Sequence, residues 1–243
     1  MSTNIRAAFI ACTAALLASG AHGAVVTSWS FSTSATNPDF GIGQATAVET
    51  SMVTVPNARK KPRKDAIPST DRSLDVANFG TVNSPSGDYG VSFAADTTGF
   101  DELSVNFLQR NGKRASAWAQ FQYSVDGGLT FITTGLANDG NYRVAVGNTF
   151  QLFSFDLSGA TEANSNEDFQ FRVMAIHAPD KDTFVATSGK RYAATGATAT
   201  WKFDDLTVNG STLAPANVVP APGAIALLMA AGTIATGARR RKS

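Results

Sequence analysis

Asp204 and Asp205 are the closest thing in this sequence to a paired-carboxylate site. Neighbours in a strand point to opposite faces, so Phe203 and Asp205 share one face and Asp204 takes the other, leaving one of the two acids for any common site. Asp126-Gly127-Gly128 begins like a calcium loop but lacks the further Asp/Asn spacing and closing Glu of one, and it reads as a tight turn. Asp180-Lys181-Asp182, just after Pro179, reads as a solvated loop cluster. The sequence has two histidines and one cysteine, and His22 and Cys12 both fall in the first 23 residues. His177 therefore stands alone in the body, which leaves no His-rich metal centre and no Cys–His nucleophile. No serine sits in a G-x-S-x-G elbow. The four glutamates (Glu49, Glu102, Glu162 and Glu167) occupy no recognisable catalytic strand. A glycosidase pair would need two carboxylates roughly 5–9 Å apart in space, which spacing in sequence does not report. We expect no catalytic residue and no enzyme.

Two other groups could recognise a ligand. Trp29, Trp118, Trp201, Tyr89, Tyr142 and Tyr192 could form a sugar-stacking platform, or could be core and ordinary surface residues. Arg59-Lys60-Lys61-Pro62-Arg63-Lys64, bounded by Pro56 and Pro68, carries five basic residues in six. Proline at that density rules out helix or central strand, so this is an exposed loop, either simply solvated or in contact with an acidic polysaccharide.

The elements that must position these residues are short strands. Leu103–Leu108 alternates apolar and polar residues with the period of a half-buried strand, and Trp118–Val125 does so less strictly. Asp126-Gly127-Gly128 then predicts a hairpin into Thr130–Thr133. Further strands are expected at 27–32, 73–79, 89–94, 142–146, 150–156, 168–177 and 198–209. Frequent Thr, Val and Phe with Gly or Asn-Asp punctuation predict an all-β fold, a single antiparallel jelly-roll-like β-sandwich. The 16 phenylalanines are its natural core; Phe153 with Phe155, and Phe169 with Phe171, are two apart and share a face.

Both ends read as addresses. Arg6, the apolar run Ala7–Ala18 and Ala21-His22-Gly23 have the order of a secretory signal peptide cut after Gly23. At the other end stand Val219, Pro220, Pro222, Gly223 and Ala224, then an uncharged run to Ala238, then Arg239, Arg240, Arg241 and Lys242. This run is short of the ~20 residues of a full span, and the terminal cations would stay on the cytoplasmic side.

That C-terminus resembles the PEP-CTERM sorting signal in its VPxPGA form, with Ala221 where the name-giving motif has Glu. The resemblance implies an exosortase-like membrane protease as partner, transient inner-membrane insertion through a C-terminal helix, and delivery to the cell surface or the extracellular matrix. Gln109-Arg110, Asn111-Gly112 and Gln122–Phe131 further resemble the jelly-roll modules of exported PEP-CTERM proteins. Trp201–Gly210 looks like the closing strand of these and of carbohydrate-binding jelly rolls. There an acidic residue on the closing strand helps to hold calcium. By that resemblance Asp204 is the candidate metal ligand and calcium the candidate ion, the alternative being a solvent-exposed acid.

The expected organisation is a signal peptide (1–23), a β-sandwich (24–214) and a Pro hinge with sorting signal (215–243). The main expectation is an exported, non-enzymatic surface or matrix protein; the alternative is a glycan-binding module contacting exopolysaccharide, with a secreted hydrolase behind it. Five of the 20 basic residues and none of the 19 acidic ones lie in the two ends, so the body carries a net charge of −4. A nucleic-acid partner thereby loses its main electrostatic support. Mass spectrometry of the exported chain should give Ala24 as its first residue; a chain still carrying Met1–Gly23 would overturn the signal-peptide reading.

Overall fold

The computed structural model describes residues 23–56, 72–147 and 149–213. The basic stretch 59–64 and the sorting-motif residues Val219 to Arg241 lie outside them, as do residues 1–22. The described residues form eleven strands: β1 (Gly23–Trp29), β2 (Gly43–Val48), β3 (Ser51–Pro56), β4 (Arg72–Ala77), β5 (Gly90–Ala95) and β6 (Phe100–Asn111), then β7 (Trp118–Ser124), β8 (Asn141–Arg143), β9 (Gln151–Asp156), β10 (Gln170–Ala175) and β11 (Trp201–Thr212). Among them the only helical turns are short 3-10 pieces at Ala137–Gly140 and Thr161–Ala163, and no described helix is long and apolar enough to cross a membrane.

Every pairing is antiparallel. One sheet runs β3-β4-β11-β6-β9, with β1 also on β11; the other runs β2-β5-β10-β7-β8. From β4 onward the chain changes sheet at every step except β7 to β8, which pair with each other, so β4-β11-β6-β9 faces β5-β10-β7-β8. This is the order of a jelly roll.

Alternation places the core. On β6, Leu103, Val105 and Phe107 are fully buried while the residues between them are half-exposed. The period continues into Gln109 and Asn111, whose buried amides are satisfied. Gln109 Nε2 donates to Asn111 Oδ1 (3.0 Å) and Tyr142 Oη donates to Gln109 Oε1 (2.7 Å). Asn111 Nδ2 and Trp201 Nε1 both donate to the Ser116 carbonyl, at 2.8 and 2.9 Å.

A chain of ring contacts crosses the sandwich. It starts across the sandwich at Trp29 on β1 and Phe93 on β5 (5.5 Å between centroids), then runs Phe93–Phe171 (5.1 Å) and Phe171–Phe121 (5.7 Å) within the β2-containing sheet. It crosses back at Phe121–Phe155, stacked at 4.1 Å, and continues through Phe107 and Phe203 to Trp201. Each buried phenylalanine contributes about 1.5–3 kcal/mol by leaving water, and well-placed ring pairs about 0.5–1.5 kcal/mol more.

The structure departs from the sequence expectations at particular places. β2 and β3 were not anticipated: both are short, and most of their residues are half-exposed or exposed. The Thr130–Thr133 strand does not form. Only the Tyr123–Ile132 bridge survives, because β7 is flanked by β10 on one side and β8 on the other, and Asp126 holds Thr130 in the turn. On β11 the expected pairing of Phe203 and Asp205 on one face is wrong. The register shifts between Asp204 and Thr207, Asp205 adopts φ of 44°, and Phe203, Asp204 and Leu206 are all buried while Asp205 is exposed. A β-bulge inserts one residue and so reverses the alternation.

Phe171→Ala should cost about 3–5 kcal/mol in urea denaturation, by opening a cavity in the aromatic chain. Leu152→Ala on β9, 68% exposed, should stay within about 0.5 kcal/mol. Equal losses would refute the placement of the core.

Candidate functional site

The outward half of the alternation in the β2-β5-β10-β7-β8 sheet is polar. On β7, Phe121 and Tyr123 point inward while Trp118, Gln120 and Gln122 are half-exposed on the other side. On β10, Phe171 and Val173 are buried and Gln170 and Arg172 are half-exposed. Antiparallel register sets these side chains in rows across the strands. Thr46, Ser92, Arg172 and Gln122 form one row, and Gln44, Ala94, Gln170 and Ser124 the next.

Arg172 is the centre of this face. Its Nε donates to Gln122 Oε1 at 2.5 Å, and Gln122 Nε2 donates to Gln120 Oε1 at 2.6 Å. Gln120 Nε2 ends the relay on the Asp139 carbonyl at 3.1 Å. The guanidinium carbon lies 3.9 Å from the centre of the Phe131 ring, a cation–π geometry. Partial burial lowers the pKa of Arg172 from its ordinary value, but an arginine remains charged through any ordinary pH. Gln44, Thr46, Ser92, Gln170, Arg172 and Phe131 surround a depression of about 300 Å³. No outward position on the five strands of this sheet is an acid.

The Asp126 turn builds the rim. Ser124 Oγ and Thr130 Oγ1 donate to the two carboxylate oxygens at 2.7 and 2.5 Å, and Thr130 N–H adds a third bond at 2.9 Å. These bonds hold the Asp126 pKa down at about 2, the Ser124 contact contributing most. Gly128 has φ of +86°, and a Cβ there would sit 2.7 Å from Gln170 Oε1. The left-handed φ is what favours glycine here, since the Gln170 amide is the end of a flexible side chain and could move aside.

The residues singled out from sequence are scattered. Trp29 and Trp201 are buried in the core, and Tyr142 is tied to Gln109 with its phenol pKa pushed well up by burial. Tyr89 and Tyr192 meet at Gly80, where Tyr192 Oη donates to the carbonyl at 2.8 Å. Of the proposed platform, only Trp118 lies on the polar face. Asp204 is 6% exposed, and its Oδ1 accepts the Asp205 N–H at 3.0 Å inside the bulge. Among the described residues no three His, Cys, Asp or Glu side chains converge. His177 follows β10, with Nε2 2.9 Å from the Ser84 carbonyl and its ring edge-on to Phe184.

Sequence reasoning missed the amide and arginine rows. Their signal was present in Gln120-Phe121-Gln122 and Gln170-Phe171-Arg172, but only the register of β7 on β10 makes them neighbours.

No protein-family model matches this chain, and no curated protein matches it. Among solved structures it is similar to the CBM22-1–GH10 modules of Clostridium thermocellum endo-1,4-β-D-xylanase 10B, with a TM-score of 0.40 and 14% identity over 72% of this chain and 27% of that one. It is also similar to the mannan-recognising carbohydrate-binding module TmCBM27 (TM-score 0.41, 7% identity, 79% of this chain, 100% of that one). A third is CBM29_1, a family 29 carbohydrate-binding module from Piromyces equi (TM-score 0.34, 12% identity, 78% and 91%). Likeness at this level speaks to neither ligand nor activity.

The turn's dependence on pH has a fixed sign. The depressed pKa means that Asp126 stabilises the folded state fully above its unfolded pKa, near the ordinary 3.8, and loses that contribution as pH falls toward about 2. Asp126→Asn should therefore melt below the wild type at pH 7, with the gap closing as pH falls from about 4 to about 2. A gap independent of pH would contradict this origin.

Proposed function

We propose that this chain is a non-enzymatic glycan-binding β-sandwich, exported by its N-terminal signal and sorted to the cell surface through its C-terminal tail by an exosortase-like protease. The observation that carries the binding half is Arg172, held flat by Phe131 and Gln122 at the middle of an acid-free row of amides and hydroxyls. Sugar hydroxyls are donors and acceptors at once, and amide side chains offer both. A planar guanidinium presents paired N–H groups to neighbouring oxygens, and the Phe131 ring offers a stacking surface at the edge. The non-enzymatic reading is supported by the outward face of this sheet's five strands carrying no acid, where glycoside hydrolysis uses two carboxylates flanking the bond that breaks. The sorting half of the proposal is supported by the order of Val219, Pro220, Pro222, Gly223, Ala224 and the cluster Arg239, Arg240, Arg241.

Isothermal titration of the purified chain against soluble neutral polysaccharides tests the binding half. At least one polymer should bind, and Arg172→Gln and Phe131→Ala should each weaken it by about tenfold, equivalent to ~1.4 kcal/mol, without lowering the melting temperature. Binding that both variants retain, or no binding to any polymer, would sink the proposal.

A further inference from the structure

A second charged feature lies away from the polar face. Two adjoining depressions of about 690 and 680 Å³ share Arg114, Lys190 and Arg191 in their walls. Lys181 completes the first and Lys113 the second. The described residues include ten Lys or Arg and 17 Asp or Glu. Half of those cations therefore line this one groove, and none of those acids does. All five side chains are exposed, and none of them is in the Lys202–Asp75 salt bridge. The nearest acids in sequence, Asp180 and Asp182, flank Lys181 and do not line either depression.

The groove is fixed by its backbone. Arg114 N–H donates to the Thr198 carbonyl at 2.8 Å, Ala193 N–H to the Arg114 carbonyl at 3.0 Å, and Ser188 N–H to the Lys113 carbonyl at 3.0 Å. Three separate segments are thereby stitched together, so the cations ride on a common frame. Behind them, the Tyr192 ring stacks on Phe184 at 5.5 Å. The phenol bond to Gly80 holds that ring in place. Ser188, Thr198 and Thr81 add hydroxyls to the walls.

We infer that this groove is a second binding site, for an acidic polysaccharide carrying carboxylates along its length. Cations that converged on one point would suit a single phosphate, whereas these are spread along two joined depressions. Arg and Lys meet the carboxylates, the Tyr192 ring meets a sugar face, and the hydroxyls meet sugar hydroxyls. A duplex nucleic acid fits less well, because its dense charge would meet the excess of acids over the rest of the described surface. The site stands whether or not the Arg172 face binds glycan.

The test uses the full chain and polygalacturonate, measured by biolayer interferometry. The wild type should bind it, and raising NaCl from about 50 to about 300 mM should weaken binding by about tenfold or more. Methyl esterification of the polymer, which removes its charge, should do the same. A variant with Lys113, Arg114, Lys190 and Arg191 all changed to Gln should lose about tenfold or more at unchanged melting temperature. Arg172→Gln should bind within about twofold of wild type. If the quadruple variant destabilises the fold, Lys190→Gln and Arg191→Gln singly should each show a smaller loss. Equal binding by the groove variants and the wild type overturns the inference, as does equal binding of the esterified polymer. Tighter binding of duplex DNA or of phosphatidylglycerol vesicles than of polygalacturonate overturns it in favour of a different polyanion. Loss of neutral-glycan binding in Arg172→Gln with polygalacturonate binding intact would show the two sites to be separate.

Discussion

The stacked contact of Phe121 on Phe155, 4.1 Å between ring centres, is the shortest ring-to-ring contact between the two sheets among the described residues. Phe121 belongs to β7 and Phe155 to β9, so the pair joins strands that share no hydrogen bonds. From it the aromatic chain runs outward in both directions, to Trp29 at one end and Trp201 at the other. Sheets at this spacing must fill the gap with side chains from both inner faces. Here the filling is aromatic and nearly continuous, which fixes the sheets against each other without a disulfide; the cysteine lies at position 12, ahead of the sandwich.

That constraint also creates the polar face. Once Phe121 and Phe171 are committed to the core, the period of two forces Gln120, Gln122, Gln170 and Arg172 outward. The β7–β10 register then sets Arg172 opposite Gln122. Packing on one side of the sheet thus positions the polar row on the other, and a slip of one residue would bury the arginine and expose the phenylalanines. The relay from Arg172 to the Asp139 carbonyl ties that face to the turn before β8, so its side chains are held in place rather than left to solvent.

Two electrostatic surfaces of different character result. The sheet face holds its arginine half-buried among amides and against Phe131, and that suits directional hydrogen bonding. The Lys113–Arg191 groove presents exposed cations on loops between strands, and that suits charge attraction that salt weakens. Both sit on a body with an excess of acidic residues, so the cationic groove is a local exception and not an expression of overall charge.

The β-sandwich was legible because alternation survives in long, well-buried strands such as Leu103–Leu108 and because paired phenylalanines two apart mark an inner face. The turn at Asp126 was legible from its Gly-Gly. The apolar runs at both ends, and the prolines and terminal cations of the C-terminal one, are features of the sequence alone. The short, mostly half-exposed strands β2 and β3 were not legible, because little core burial stamps a period on them. Nor was the bulge at Asp204–Asp205, where one inserted residue reverses the alternation that strand reasoning assumes. The candidate sites belong to the tertiary structure. Gln122 and Arg172 are 50 positions apart, and Lys113 and Arg191 farther still, so only strand register and loop packing could make neighbours of them. Along the long, well-buried strands sequence determined which residues point in and which point out; the fold decided where a bulge breaks that order and which outward residues meet.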